Sequence, residues 1–288
     1  MCIQAGYQPK NGESRMIPIV QSTTFKYDTS EDMGKLFDLE ESGYFYTRLA
    51  NPTNDYVAAK ICALEGGSAA VLTSSGQAAT FFSVFNIAGV GDHVVASSTI
   101  YGGSFNLFAV TMKRMGVEFT FVDPDCSDEE LEAAFRPNTK AVFGETIANP
   151  ALIVFDIERF ANAAHAHGVP LIVDNTFATP INCRPIEWGA DLVIHSATKF
   201  LGGHGSVMAG VVVDSGKFTF KGNPRFPLFN EPDVSYHGVV FADLGEMAFI
   251  SRLRALITRD IGACLSASAA HTCLTGMETL ALRMQRHC

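Results

Sequence analysis

The stretch ADLVIHSATKFLGGH, residues 190–204, places a lysine just after an apolar run that has the composition of a buried strand. Residues 190–195 form this run, and Lys199 follows it among small side chains and hydroxyl groups. Burial favours the neutral, nucleophilic form of a lysine amine, so this site suits Schiff-base formation with a carbonyl compound. A surface lysine that follows a strand is the alternative, and the rest of the chain must decide between the two.

Outward from this stretch, short apolar runs alternate with segments of helical spacing. This pattern predicts an α/β fold with a mostly parallel sheet covered by helices on both faces, and ligands bind such folds outside the carboxyl ends of the strands. Strands are predicted at 69–73, 93–96, 117–122, 139–145, 169–173, 191–194 and 208–213, and helices at 56–64, 77–87, 104–115, 128–135, 157–167 and, near the C-terminus, 269–286.

Polar residues and glycines follow several of these strands. The turn SSGQ, residues 74–77, opens a helix, and exposed amides at such a turn suit an anion. Asp174 leaves an apolar strand and needs a cationic or hydrogen-bond-donating partner there. Tyr101 follows another strand. Taken singly, these features are also typical of an ordinary strand–helix turn, a helix N-cap and a core aromatic ring.

One small molecule uses all of these groups together. Pyridoxal 5'-phosphate has a phosphate, an aldehyde, a ring nitrogen and a flat face, and an acidic partner at the ring nitrogen makes the ring an electron sink. The predicted contacts are the phosphate with Ser75, Gly76, Gln77, Ser196 and Thr198, the aldehyde with Lys199, the ring nitrogen with Asp174, and the ring face with Tyr101.

Composition excludes several other classes of protein. The net charge of -9 argues against a nucleic-acid surface and a polybasic membrane anchor, and no apolar run reaches the roughly 20 residues that span a bilayer. Seven dispersed cysteines predict reduced thiols and a cytoplasmic protein. No glycine-rich dinucleotide motif follows the first strand, and His165 and His167 point apart on a helix, so no metal site is expected.

The segments 174–180, DNTFATP, and 189–205 resemble the Cys/Met-metabolism family of pyridoxal-phosphate enzymes. That family includes cystathionine synthases and lyases, methionine gamma-lyases and O-acetylhomoserine sulfhydrylases. The resemblance covers essentially the whole chain. It implies the aspartate-aminotransferase-like fold, also called fold type I, a three-layer sandwich around a mostly parallel sheet.

The resemblance also implies roles for residues outside the strand-end set. In the segment YFYTR, residues 44–48, it implies that Tyr46 and Arg48 reach the cofactor phosphate of a neighbouring subunit. It implies that Glu145 and Asn149 position the cofactor ring and its hydroxyl. Lys199 is then the catalytic acid and base, assisted by Tyr101. A homo-oligomer is expected, as a dimer of dimers, that is, a homotetramer.

Segments 75–79, 230–238 and 259–266 look most like O-acetylhomoserine sulfhydrylases. Gly103 stands where methionine gamma-lyases often carry cysteine. The resemblance therefore implies a transferase of methionine biosynthesis and transsulfuration, which replaces the γ-acetate of O-acetylhomoserine with sulfide or methanethiol to give homocysteine or methionine. A methionine or cystathionine lyase of the same family, and an inactive fragment acting only as an interaction module, are the alternatives.

Three regions are expected along the chain. Residues 1–45 form an N-terminal arm, residues 46–268 the large cofactor-binding domain, and residues 269–288 the start of a truncated C-terminal domain. The resemblance implies a longer protein, because family members continue past the position of Cys288 and carry there an arginine for the substrate α-carboxylate. Arg283 and Arg286 do not match that motif.

Overall fold

Seven strands form a single sheet in the computed structural model, which describes residues 1–37 and 41–288. Residues 38–40 of the predicted arm lie outside the described part. The strand order is β1-β7-β6-β5-β4-β2-β3. The strands are β1 (Ala69–Thr73), β2 (His93–Ser97), β3 (Glu118–Val122), β4 (Thr139–Glu145), β5 (Leu171–Asp174), β6 (Leu192–His195) and β7 (Gly210–Asp214).

Most neighbouring strands of this sheet run parallel. The pairs from β3 through β2, β4 and β5 to β6 are parallel, whereas β7 is antiparallel to both β6 and β1. The connection from β6 to β7, residues 196–209, contains no helix of the kind that usually forms a parallel crossover. The predicted α/β fold with a mostly parallel sheet is confirmed.

Helices surround the sheet, and α2, α3 and α6 pack directly on it. The predicted helical run 157–167 contains α6, and the predicted run 104–115 overlaps the end of α4. The helices are α1 (Ser30–Phe37), α2 (Pro52–Glu65), α3 (Gly76–Phe85), α4 (Gly102–Asn106), α5 (Asp128–Ala133), α6 (Ile157–Ala166), α7 (Thr179–Asn182), α8 (Pro227–Asn230), α9 (Ala248–Arg252), α10 (Arg259–Ile261), α11 (Ala267–Met277) and α12 (Leu280–His287).

Local sequence explains where the helices beside the site begin and end. The Asn51 side chain accepts a hydrogen bond from the Thr53 amide at the start of α2, and Gly66 closes that helix in the left-handed conformation at φ 79°. The Ser75 side chain caps α3 by accepting from the Ala78 amide. These caps orient the C-terminus of α2 and the N-terminus of α3 at the sheet.

Two predicted helices differ from the structure. The run at 104–115 is not one α-helix, because α4 passes into a wider π-helical segment, Leu107–Met112. The run at 269–286 is two helices, α11 and α12, which are separated at Thr279. The side chain of Arg283 on α12 donates to the carbonyl of Phe200, next to Lys199 in sequence, at 2.7 Å. Helix α11 also crosses the predicted boundary at 268, and the division into three regions stays a prediction.

The histidines of α6 contact separate partners. His165 Nε2 lies 2.8 Å from Asp191, and His167 Nε2 lies 2.7 Å from Glu132 while its ring stacks on Phe135. Across residues 1–37 and 41–288, no group of three or more His, Cys, Asp and Glu side chains is arranged to hold a metal ion. None of the helices in that same part of the chain is long and apolar enough to cross a membrane.

Candidate active site

A cleft of about 290 Å³ opens at the carboxyl end of the parallel strands. Chain segments that leave β1, β2, β4, β5 and β6 all contribute to its wall. Ten of the twelve residues predicted from the sequence line this cleft. They are Ser75, Gly76, Gln77, Tyr101, Glu145, Asn149, Asp174, Ser196, Thr198 and Lys199.

The N-terminus of α3 forms one wall of the cleft. A Cβ atom added at Gly76 would lie 2.5 Å from the Cβ of Ser196, so glycine allows α3 to begin directly against the segment after β6. The first amides of a helix lack partners within it, and the helix dipole is positive there. Gly76 and Gln77 therefore present backbone donors beside the Ser196 hydroxyl, a set of groups that suits a phosphate ester.

The lysine amine projects into open space. Lys199 is exposed, which corrects the expectation that it is buried; it extends from the turn after β6 into the open cleft. Its Nζ makes no hydrogen bond or ion pair within the described part of the chain. A primary amine without a partner at the mouth of a cleft can attack a carbonyl group.

Asp174 ends β5 in the interior of the cleft. Its Oδ1 accepts hydrogen bonds from the amide of Thr176 at 3.0 Å and from the hydroxyl of the same residue at 2.5 Å. Burial raises the pKa of this carboxyl, and the Thr176 hydrogen bonds and the nearby His195 oppose that effect. A partly buried acid of this kind is stabilised as an anion when a cation binds it.

Glu145 lies at the end of β4 and receives the backbone amide of Tyr101 at 2.7 Å. Burial, followed by the charge of Asp174, raises the pKa of Glu145 to about 8, against the lowering effect of the Tyr101 and Asn149 amides. Since β4 and β5 are paired in parallel with Glu145 opposite Asp174, the two carboxyl groups share one end of the sheet. A bound cation or hydrogen-bond donor between them would relieve their repulsion.

The hydroxyl of Thr198 already has partners in the protein. It donates to the carbonyl of Ala209 and accepts from the amide of the same residue, both at 3.1 Å. Ser196 is held through its backbone, because its amide donates to the Thr176 hydroxyl at 2.8 Å. The Ser196 hydroxyl is therefore the better placed of the two to meet a ligand.

Tyr46 and Arg48 lie in a different pocket. That pocket has a volume of about 420 Å³ and also includes Tyr236 and Arg259, but none of the residues of the Lys199 cleft. The guanidinium of Arg48 lies 5.1 Å from the centre of the Tyr46 ring. Within one chain, these two residues and Lys199 line separate pockets.

Five further residues line the cleft that were not predicted from the sequence. Thr176 could have been predicted in part, because it stands two residues after Asp174 in the segment DNT. Met208 precedes β7 and reaches the cleft only because β7 returns beside β6, an arrangement that no local pattern indicates. The other three are Thr80, Ser104 and Phe177.

The sequence model of the family described as "Cys/Met metabolism PLP-dependent enzyme" matches residues 1–288. The chain belongs to this family. Pyridoxal phosphate is therefore its cofactor, and the family resemblance seen in segments 174–180 and 189–205 is confirmed.

Curated relatives in this Cys/Met metabolism family are similar along nearly the whole chain. The chain is 48% identical to O-acetyl-L-homoserine sulfhydrylase of Corynebacterium glutamicum over 278 residues, which are 95% of this chain and 64% of that protein. It is 46% identical to homocysteine synthase of Schizosaccharomyces pombe over 289 residues, covering 99% of this chain and 67% of that protein. The chain thus spans about two thirds of the length of the curated relatives it matches. The predicted similarity to O-acetylhomoserine sulfhydrylases is confirmed.

Solved structures of the family share the fold. One is a Campylobacter jejuni protein provisionally assigned as an O-acetylhomoserine (thiol)-lyase, which was solved with N'-pyridoxyl-lysine-5'-monophosphate. Its TM-score to this chain is 0.96 at 35% sequence identity, and the match covers 99% of this chain and 71% of that one. The metB product of C. glutamicum has a TM-score of 0.80 at 35% identity, covering 100% of this chain and 65% of that one. The aspartate-aminotransferase-like fold expected from the sequence is confirmed.

The residues of the cleft fit the family's cofactor. The start of α3 and Ser196 offer donors for a phosphate, and Asp174 and Glu145 are partly buried acids that a protonated ring nitrogen or a hydroxyl would satisfy. Lys199 offers an amine without a partner among the described residues.

Proposed function

We propose that the protein containing this chain replaces the γ-acetate of O-acetylhomoserine with sulfide or methanethiol, giving homocysteine or methionine. The observation that carries this proposal is that Lys199 and Asp174 line one cleft. The chain that forms this cleft is 48% identical to an O-acetyl-L-homoserine sulfhydrylase. A γ-carbon–oxygen bond breaks, a γ-carbon–sulfur bond forms, and acetate leaves with the electron pair.

In this proposal the cleft would hold pyridoxal phosphate by five sets of contacts. The amides of Gly76 and Gln77 with the side chains of Ser75, Ser196 and Thr198 bind the phosphate, which requires the Thr198 hydroxyl to turn from Ala209. Lys199 would hold the aldehyde carbon, with the aldehyde oxygen lost as water. Tyr101 would cover the ring face, Asp174 would hold a proton on the ring nitrogen, and Glu145 with Asn149 would position the ring and its hydroxyl.

The bound cofactor supplies an electron sink for the carbanion at the substrate α-carbon. When it is not bonded to the cofactor, Lys199 would remove the proton at the α-carbon and move protons at the β-carbon as general acid and base. Tyr101 lies at the cleft mouth, with 48% of its surface exposed, where its hydroxyl can assist those transfers. Asp174 keeps its negative charge throughout, because it acts by stabilising the protonated ring rather than by exchanging protons.

The proposal also assigns partners. The amino-acid substrate and the sulfur donor are small molecules, and the oligomer is a cytoplasmic homotetramer built as a dimer of dimers. Tyr46 and Arg48 complete the cleft of the neighbouring subunit by binding the cofactor phosphate there. Their position in a separate pocket of their own chain, away from Lys199, supports action across the subunit boundary.

The test of this function is replacement of Lys199 by alanine. We expect the wild-type chain, mixed with pyridoxal phosphate and reduced with borohydride, to retain the cofactor on a peptide that contains Lys199, and Lys199→Ala to retain none. Lys113→Ala, at an exposed helical lysine away from the cleft, is the matched control and should behave as wild type. Cofactor fixed elsewhere, or lost equally in the control, would contradict the assignment.

Product analysis separates replacement from elimination. With O-acetylhomoserine and sulfide, we expect homocysteine and acetate in equal amounts, and little α-keto acid or ammonia. An α-keto acid and ammonia formed whether or not sulfide is added would instead assign a lyase of the same family.

A further inference from the structure

An arginine from the C-terminal helices binds the turn that carries Lys199. The side chain of Arg283, on α12, donates from Nη1 to the carbonyl of Phe200 at 2.7 Å and from Nη2 to the carbonyl of Gly276, in α11, at 2.8 Å. Its Nε donates to the hydroxyl of Thr279 at 3.1 Å. Arg283 does not line the cleft, so the proposed cofactor contacts leave it unused.

Glycines allow the turn and the two helices to pack this closely. A Cβ atom built on Gly203 would overlap Cζ of Arg283, and one built on Gly276 would overlap the carbonyl oxygen of Gly202. The amide of Gly203 donates in turn to the carbonyl of Lys199 at 2.7 Å. The guanidinium therefore bears on both ends of the segment 199–203, at the residue after the lysine and at the residue that holds the lysine carbonyl.

The part of the turn that would bind the phosphate is held by other contacts. The amide of Ser196 donates to the Thr176 hydroxyl at 2.8 Å, and the amide of Thr198 donates to the carbonyl of Ala209 at 3.2 Å. These partners lie outside α11 and α12. The contacts from the two helices therefore act on the lysine end of the turn rather than on its phosphate end.

The position of the Lys199 amine depends on the backbone that carries it. Within the described part of the chain, Nζ makes no hydrogen bond or ion pair that would fix the side chain. Bond formation is favoured when the two reacting atoms are already held within reach of each other. Three acceptors that lie in different directions require a planar group with several donors, which an arginine has and a lysine lacks.

We propose that Arg283 is a positioning residue that holds the segment 199–203 so that the Lys199 amine reaches the aldehyde carbon of pyridoxal phosphate. When they meet, a nitrogen–carbon bond forms and the aldehyde oxygen leaves as water. Arg283 acts through the backbone of the turn and not by contact with the cofactor. This inference rests on the proposed function, because it needs Lys199 to bond the cofactor.

The test compares two ligands that differ at the aldehyde. Pyridoxine 5'-phosphate has the same phosphate, ring nitrogen and ring hydroxyl, but a hydroxymethyl group replaces the aldehyde, so it cannot bond to Lys199. Arg283→Met keeps the length of the side chain and removes its donors. We expect it to raise the dissociation constant of pyridoxal phosphate about tenfold and to leave that of pyridoxine phosphate within about twofold. In a Lys199→Ala background the same substitution should change neither constant.

Arg286→Met is the matched control, because Arg286 is exposed on the same helix, and it should alter neither constant. Arg283→Lys keeps the charge but reaches fewer of the acceptors, so we expect its constants to lie between those of the wild type and Arg283→Met. Urea unfolding establishes that each variant is folded. Should Arg283→Met not fold, Arg283→Lys serves in its place, and a smaller rise confined to pyridoxal phosphate is expected.

The outcomes distinguish this inference from the proposed function. A wild-type chain that does not retain pyridoxal phosphate on Lys199 after borohydride reduction overturns the proposed function and the inference with it. A wild-type chain that retains it, while Arg283→Met weakens both ligands alike or neither, overturns the inference alone, because the arginine would then serve only to pack α11 and α12. A rise in either constant in the Lys199→Ala background also overturns it.

Discussion

Gly103 is a residue at which an added side chain would disturb the cleft directly. A Cβ atom built on Gly103 would lie 2.4 Å from Cε1 of the Tyr101 ring, closer than such atoms approach in proteins. The ring is partly exposed and its far end can swing, so the expected response is a displaced Tyr101 rather than a misfolded chain. The glycine therefore determines where the Tyr101 ring, which is proposed to cover the cofactor, lies.

We expect Gly103→Cys to weaken pyridoxal phosphate binding by about tenfold, because the displaced ring no longer stacks on the cofactor face. Titration of the apoprotein with the cofactor measures the dissociation constant. Gly102→Ala is the matched control, since a Cβ atom at that position meets nothing within 4 Å. Equal binding by Gly103→Cys and wild type would show that Tyr101 does not depend on this glycine.

At the scale of the element, strand β7 carries a buried acid whose charge affects stability. Asp214, its last residue, is 4% exposed and accepts a hydrogen bond from the Gly216 amide at 2.8 Å. Burial, with smaller contributions from Asp191 and Glu246, raises its pKa from 3.8 to about 7. The folded chain therefore holds this proton at pH values where the unfolded chain has lost it, so unfolding becomes easier as the pH rises from about 4 to 7.

Asp214→Asn should remove this pH dependence, because an amide does not titrate while its oxygen still accepts from Gly216. Relative to the variant, we expect the wild type to lose about 1.4 kcal/mol of unfolding free energy per pH unit between pH 4 and 7, and little outside that range. Urea unfolding across pH measures the difference. Asp125→Asn, at an exposed aspartate, is the control. A wild-type-to-variant difference that stays constant with pH would show that Asp214 is ionised in the folded chain throughout.

The bounds of the strands and helices were predictable where a local pattern of apolar and polar residues marks them. Strands β1 and β4 begin and end at the predicted residues because their apolar runs are bounded by turn-forming residues and by charge. The helix at 104–115 was only partly predictable, since its widened turn, Leu107–Met112, is not distinguishable from an α-helix by apolar spacing. Helix α1 lies in the region predicted as an arm, where apolar spacing is weak.

At the scale of the whole molecule, Arg48 lies in a different pocket from Lys199 of the same chain, so its proposed role requires a second subunit. If Arg48 serves the neighbouring subunit, a dimer that combines an Arg48→Ala chain with a Lys199→Ala chain contains one cleft in which both residues are intact. Mixing the two variants under exchange should then restore about a quarter of the wild-type activity, since about half of the dimers are mixed and each has one intact site of two.

A pair of variants within one cleft provides the control for this experiment. Lys199→Ala mixed with Asp174→Asn should restore nothing, because both residues line the same cleft of one chain and every site keeps one defect. Failure of the Arg48→Ala and Lys199→Ala mixture to recover, under conditions where the subunits exchange, would place Arg48 in the site of its own chain.

Sequence by itself determined the alternation of strands and helices and the chemistry at the strand ends, because both follow from short-range patterns of apolar and polar residues. Neighbouring parallel strands end at one edge of a sheet, so the order of residues along the chain was enough to assign Asp174 and Lys199 to one cleft. Only the tertiary structure decided that Lys199 stands exposed, that Met208 joins it, and that Arg283 meets Phe200 beside it. Those contacts join residues as many as 83 positions apart, and they arise from the packing of whole elements, which no local pattern encodes.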